Sequence, residues 1–165
     1  MPIYDASVGF KLLRPEVSLP TKGSKYSACY DIRAYLNTID PNQPAPDLTN
    51  SPLTLLSGMV AKIPTGFATI IPNGYCAMVY SRSGLGVAGL TLANQVGIID
   101  SDYRDEWVIA IRNVSKGTHI IKHNDRIAQF MLVPLVDTKF YLIDNQDKQF
   151  YADDRGGGFG STGVD

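Results

Sequence analysis

Two aspartates, a tyrosine and a glycine-rich end hold most of the chemistry available to this chain. Asp100 closes the apolar run VGII and opens the polar turn DSDYRDE, with Tyr103 three residues on. A carboxylate at the start of such a turn can orient and deprotonate a water. The pattern LANQVGIIDSDYRDEW (92–107) predicts a β-hairpin with Asp100 and Tyr103 at its mouth and exposed backbone able to bond a base edge. Taken alone, a solvated charged turn is an equal reading. Residues 155–163 read RGGGFGSTG. Glycines bare their backbone N–H groups to a ligand. Arg155 adds a planar cation suited to phosphate oxygens, Ser161 and Thr162 add hydroxyls, and Phe159 adds a face that can stack on a base. Together they suggest a nucleoside polyphosphate, against the plainer reading of a frayed terminus.

Three further segments carry polar groups inside apolar runs. ACYDIRA (28–34) sets Asp31 among apolar neighbours, which an edge-strand carboxylate would also explain. In YSRSGLG (80–86), Arg82, Ser83 and the backbone of Gly84 would make a compact anion cradle, or an ordinary turn. In NDRIAQ (124–129), Asp125 with Arg126 reads as structural, while Gln129 is open to either role. His119 and His123 have a zincin-like spacing, but Ile120 stands where the glutamate is needed. They read as two surface imidazoles, which on a strand would share one face. A P-loop is missing, and there are too few Cys and His for a structural zinc site. Any metal would be a hard ion held by oxygen, such as magnesium.

The elements that must position these groups are mostly strands. The chain has 165 residues and a formal net charge of −1, with no run of lysine or arginine. That predicts one main domain and argues against duplex nucleic acid or an anionic membrane as partner. Two cysteines without a CxxC make no disulfide framework. No cationic leader or apolar run of ~20 residues is read, so a soluble, intracellular protein is expected. Strand-like runs fall at 8–13, 67–72, 75–80, 96–100, 107–111, 126–136 and 139–143. Asn73-Gly74 signals a hairpin, and Lys116-Gly117 a tight turn. A weak helix is predicted at 84–93. Residues 38–57, with Pro41, Pro44, Pro46 and Pro52, read as a long surface loop. Many short strands with few helices imply a sandwich, jelly roll or barrel. The expected division is a β domain over 1–152 and a C-terminal lid over 153–165.

In this order, ACYDIRA, SRSGLG, VGIIDSDYR, DRIAQ and RGGGFGSTG resemble the five motifs of the trimeric dUTPase family. The likeness runs from about residue 8 to the C-terminus, and within the family the chain resembles a viral member. It implies an all-β, jelly-roll-like subunit in a homotrimer with active sites shared between subunits. It implies hydrolysis of dUTP to dUMP and pyrophosphate with Mg2+, which removes dUTP and supplies the dTMP precursor. By resemblance, Asp100 is the general base for water attacking the α-phosphorus, and Asp31 holds the magnesium–triphosphate through water. Asn94, Gly97, Ile98 and Val108 would read uracil mainly with backbone, and Tyr103 would fill the space of a ribose 2′-hydroxyl. Arg82, Ser83, Gly84 and Gln129 would contact phosphates. Arg155, Gly160, Ser161 and Thr162 would close on the phosphates while Phe159 covers the base. If the source is viral, the host cytoplasm or the virion would be the setting.

The chain also departs from the family pattern. Cys29 and Asp105 stand where glycine is usual, the 38–57 loop is long, and only Gly156, Gly157 and Gly158 separate Arg155 from Phe159. One residue fewer shortens that reach by up to ~3.6 Å. Competing readings are a relative of dCTP deaminase, a dUTP-binding module that signals through a protein partner, and a structural jelly roll. The pairing of Asp100 with Tyr103 and the full terminal motif favour the hydrolase.

Overall fold

A computed structural model describes residues 6–36 and 52–144. Twelve short strands and one helical turn build four antiparallel sheets among these residues. The largest runs β2 (Thr21–Lys22), β3 (Tyr30–Arg33), β12 (Arg126–Pro134), β7 (Tyr75–Tyr80) and β9 (Gly97–Ile99), in that spatial order. A second sheet sets β10 (Val108–Asn113) between β5 (Val60–Pro64) and β8 (Leu90–Leu92). Two pairs complete the set: β1 (Gly9–Leu12) with β6 (Phe67–Ile70), and β4 (Leu53–Leu55) with β11 (His119–Ile121). This is the expected all-β, jelly-roll-like fold. No helix among the described residues is long and apolar enough to cross a membrane.

Period-two patterning explains which faces are buried. Along β10, Ile109, Ile111 and Asn113 are buried while Val108 and Arg112 are exposed. β7 lies between two partners and buries Cys76, Ala77 and Val79. The sheets meet on a chain of rings. Phe10 packs on Phe67 with centroids 5.4 Å apart, Phe67 on Trp107 at 5.3 Å, and Trp107 on Phe130 at 5.1 Å. Trp107 is fully buried, and its indole N–H donates to the Thr69 hydroxyl at 3.1 Å.

Several local expectations yield to tertiary pairing. The Asn73-Gly74 turn exists, with Gly74 at φ +83. It joins β6 and β7, which lie in different sheets, so it is no hairpin. The predicted 92–107 hairpin is also absent: β9 pairs with β7, whereas β10 pairs with β5 and β8. The helix predicted at 84–93 is only α1 (Ser83–Val87), after which the chain becomes β8. Gly89 at φ +89 ends it, and a Cβ there would lie 2.6 Å from the Ser115 Cβ. The 38–57 loop includes β4 at its end, and residues 37–51 lie outside the described residues. The run 139–143 forms no strand: Phe140 is 93% exposed and Leu142 100%. Its apolar pattern has no pairing edge among the described residues. The 153–165 lid lies outside them.

The histidines are not free surface groups either. His123 Nδ1 accepts from the Leu36 amide at 3.1 Å, beyond the end of β11, and His119 Nε2 lies 3.1 Å from the Ser115 hydroxyl. The Lys116-Gly117 turn is organised by buried Asn113, whose Nδ2 donates to the carbonyls of Leu55 at 3.0 Å and Gly117 at 2.8 Å. Its Oδ1 accepts from the Ser115 amide at 2.9 Å and hydroxyl at 2.7 Å. Asn113→Ala strands the buried Leu55 carbonyl and removes the acceptor of the Ser115 amide, while the Gly117 carbonyl keeps only the Ser115 hydroxyl at 3.3 Å. Urea unfolding should show a loss of roughly 3 kcal/mol, the scale of such unpaired groups; a loss under ~1 kcal/mol would mean that water replaces the amide.

Candidate functional site

Asp31 sits on β3, an interior strand between β2 and β12, and is only 8% exposed. The edge-strand reading is therefore wrong. Buried carboxylates need partners, and here both oxygens have one. Arg82 Nε donates to Oδ1 at 2.8 Å, and Arg126 Nη1 to Oδ2 at 3.1 Å. Arg82 also donates through Nη1 to the Arg126 carbonyl at 3.2 Å. These groups line a cleft of about 360 Å³ with Gly23, Ser27, Cys29, Ser83 and Gln129. Two guanidinium groups against one carboxylate leave the cleft net cationic, with N–H donors to spare.

Each element has a local reason to deliver its group here. β12 and β3 pair with Gln129 opposite Asp31, and β12 and β7 pair with Gln129 opposite Tyr80. Arg82 then leaves the end of β7 as the residue preceding α1. Gln129 Nε2 donates to the Ser81 carbonyl at 3.0 Å, and the Ser81 hydroxyl accepts from the Leu92 amide at 2.9 Å. Ser83 and Gly84 open the helical turn and are exposed. Their amides have no acceptor inside so short a helix.

Arg126 is the residue that sequence reasoning missed. In sequence it reads as structural beside Asp125, but Asp125 Oδ2 accepts the Lys122 amide at 2.7 Å and closes a turn. Arg126 turns instead to Asp31, across 95 residues of sequence. The β-strand alternation around Gln129 could have hinted at this, but a bulge between Arg126 and Ala128 shifts the register.

The remaining described residues form a second group. Among the described residues β9 is the edge of the five-stranded sheet, and one side of Gly97–Ile99 has no strand partner there. Ile98 is 53% exposed and Val108 46%. Asn94 and Asp100 are exposed at the two ends of β9. Tyr103 is part-exposed; its amide donates to the Asp100 carbonyl at 3.2 Å and its hydroxyl to the Glu106 carbonyl at 3.1 Å. Gly97 has a packing reason, since a Cβ there would meet the Val79 Cβ at 3.2 Å.

The two groups sit at opposite corners of one sheet. Asp31 shares a row with Tyr80, while Ile99 is opposite Ala77, which puts Asp100 one row further. Three strand spacings one way and four residues the other give a separation of about 20 Å along the sheet. Within one chain, then, Asp31, Arg82, Ser83 and Gln129 come together, and Asn94, Gly97, Ile98, Asp100 and Tyr103 gather elsewhere. Arg155, Phe159, Gly160, Ser161 and Thr162 lie outside the described residues.

The residues present suit a metal carried by its ligand rather than a protein cage. Among the described residues, no three His, Cys, Asp or Glu side chains gather as a metal site. Asp31 keeps lone pairs beyond those taken by its arginines. One carboxylate reaching through water fits magnesium, which keeps several waters and takes phosphate oxygens.

Comparison with known proteins identifies the family. A family model described as dUTPase matches residues 47–163. A deoxyuridine 5'-triphosphate nucleotidohydrolase of Desulfitobacterium hafniense is 48% identical over 115 residues, 68% of this chain and 74% of the relative. One from Aeromonas hydrophila is 37% identical over 164 residues, 98% of this chain and 93% of the relative. These relatives are bacterial, so they do not display the expected nearness to a viral member. A mutant dUTPase from phage phi11 of S. aureus, described with a structural Mg(II) ion, has the same fold. It superposes with a TM-score of 0.69 at 23% identity, covering 86% of this chain and 99% of that one.

Cys29 offers a probe of the cleft. Burial, and then the nearby Asp31 carboxylate, push its thiol above the ordinary cysteine range. The thiolate is the reactive form, so iodoacetamide should label Cys29 slowly at pH 8 and faster only at higher pH. Cys76, buried on β7, is the internal control. Mass-spectrometric labelling rates that already plateau by pH 8 would mean that the arginines outweigh Asp31.

Proposed function

The chain belongs to the dUTPase family, and from that premise we propose that it hydrolyses dUTP to dUMP and pyrophosphate at a site built from two copies of the chain. The observation that carries this reading is the placement of its two polar groups. The α-phosphorus that Asp100 would serve and the phosphates that Arg82 would hold are neighbours in one substrate. A separation of about 20 Å within one sheet cannot serve both. A second copy presenting its cleft to the first copy's β9 edge would complete the site. Such a head-to-tail contact repeats until it closes into a ring, and the homotrimer implied by the motifs is that ring.

In this assembly the free backbone of β9 reads the uracil edge, with Asn94, Gly97, Ile98 and Val108 around it. A site built on those donors and acceptors rejects cytosine, whose amino group presents a donor where uracil has an acceptor. Tyr103 packs against deoxyribose and fills the 2′ position. Arg82, Ser83, Gly84 and Gln129 of the neighbouring copy hold the phosphates. Arg155, Gly160, Ser161 and Thr162 close on them, with Phe159 over the base. The short Arg155–Phe159 interval favours Phe159 keeping its stacking place while Arg155 shifts.

Asp100 takes a proton from a water as that oxygen bonds to the α-phosphorus. The bond from the α-phosphorus to the bridging oxygen breaks, and pyrophosphate leaves with the electron pair. Bound Mg2+ would supply charge neutralisation and draw the three phosphates into one conformation, with Asp31 reaching it through water. The structural Mg(II) ion described for the phage relative supports a place for magnesium in the family. Two unpaired cysteines suit a reducing, intracellular setting.

Asp100→Asn should leave the fold and dUTP binding intact and lower turnover ~10²- to 10⁴-fold, the worth of a positioned base; single-turnover kinetics at wild-type rate would assign the base elsewhere. The shared site has its own test. Asp100→Asn and Arg82→Ala proteins, each inactive, are mixed and refolded together. Random assembly should restore roughly a quarter of wild-type activity, because one site in four pairs a sound loop with a sound cleft. No recovery from mixed oligomers would place both groups in one chain's site.

A further inference from the structure

We propose that Glu106 is a positioning residue that holds Tyr103, and so the sugar selectivity of the site, without touching the substrate. The inference rests on Tyr103 facing the deoxyribose. The loop from Asp100 to Glu106 leaves a three-residue edge strand, and most of its hydrogen bonds stay within it. Glu106 is the exception: among the described residues it is the one side chain of this loop hydrogen-bonded outside it. Its Oε1 accepts the Gly66 amide at 2.7 Å, and Oε2 meets Arg14 Nη2 at 3.5 Å.

Both partners are themselves fixed. Gly66 has φ +79, and a Cβ on it would collide with Val17, so no other residue suits that turn. Its carbonyl accepts the Leu13 amide at 2.8 Å. Arg14 lies over the Tyr35 ring at 5.7 Å, and the Tyr35 hydroxyl donates to the Pro15 carbonyl at 3.3 Å. A carboxylate accepting a backbone N–H in a part-buried place makes a charge-assisted bond. Glu106 is therefore pinned by its side chain, and its own carbonyl is the acceptor that sets the Tyr103 hydroxyl. The same peptide plane is also tied through the Trp107 amide to the Phe67 carbonyl at 3.0 Å, so releasing Glu106 removes one of two anchors, loosens the carbonyl's aim, and the ring no longer closes the 2′ space.

The test uses the full protein with Glu106→Ala, Glu106→Asp and Glu106→Gln, and Tyr103→Ala as control. Two quantities are read: deuterium uptake by residues 100–107, and the dUTP/UTP ratio of kcat/KM. Glu106→Ala should speed uptake and lower the ratio, each roughly fivefold or more, the scale of a lost hydrogen bond. Glu106→Gln should rescue both, since its amide oxygen still reaches Gly66. Glu106→Asp keeps the charge but not the reach and should fall with Ala; it decides the matter if the Ala variant does not fold. A purely structural role would lower Tm and leave the ratio unmoved. Wild-type uptake and ratio in Glu106→Asp overturn the proposal. If Tyr103→Ala leaves the ratio unchanged, the sugar contact itself is wrong, and uptake alone then decides whether Glu106 holds the loop.

Discussion

The buried indole of Trp107 is the constraint on which the rest of this fold depends. It ends the Asp100 loop immediately before β10, with no exposed surface of its own. Its amide donates to the Phe67 carbonyl at 3.0 Å, and its carbonyl accepts the Thr65 amide and hydroxyl at 3.2 and 2.8 Å. Burying so large a ring contributes several kcal/mol, and its N–H is satisfied by Thr69 rather than left unpaired. One residue thus ties the surface loop that carries Asp100 and Tyr103 to the centre of the core. The loop can be polar and exposed because its far end is anchored in the core.

Electrostatics sets the second corner. Asp31 is too buried to stand alone as a charge, and the two arginines that satisfy it come from the ends of β7 and β12. Their side chains are 25% and 46% exposed, so solvent screens part of the attraction. The pairing is better understood as orientation than as stability. Asp31 holds two guanidinium groups at one cleft and leaves most of their donors unspent, a set suited to phosphate oxygens.

A sheet whose reactive groups lie at opposite corners cannot use both on one small molecule. In the proposed reading, the edge of β9 and the cleft beside β3 are each half of a site that assembly would join. An unpaired edge strand is ordinarily a hazard, kept harmless by being short. β9 is three residues long, and in the proposed reading its edge would also supply the donors and acceptors that the base requires.

What the sequence determined by itself is local. The apolar run at 75–80 is β7 to the residue, and the runs at 67–72, 96–100 and 126–136 each contain the strand expected of them. Order and identity of the polar motifs carried the family, because the chemistry lies in side-chain types that any fold must keep together. Which strands pair was decided by tertiary structure. Asn73-Gly74 and the Asp100 turn both look like hairpins, yet each joins strands of different sheets. Backbone hydrogen bonds are the same for every residue, so a turn motif fixes chain direction but not the neighbour. The neighbour is chosen by burial, through contacts such as Trp107 on Phe67 and Phe130. Arg126 reaching Asp31 and Glu106 reaching Gly66 belong to the same class. These contacts span 95 and 40 residues, and no local pattern announces them.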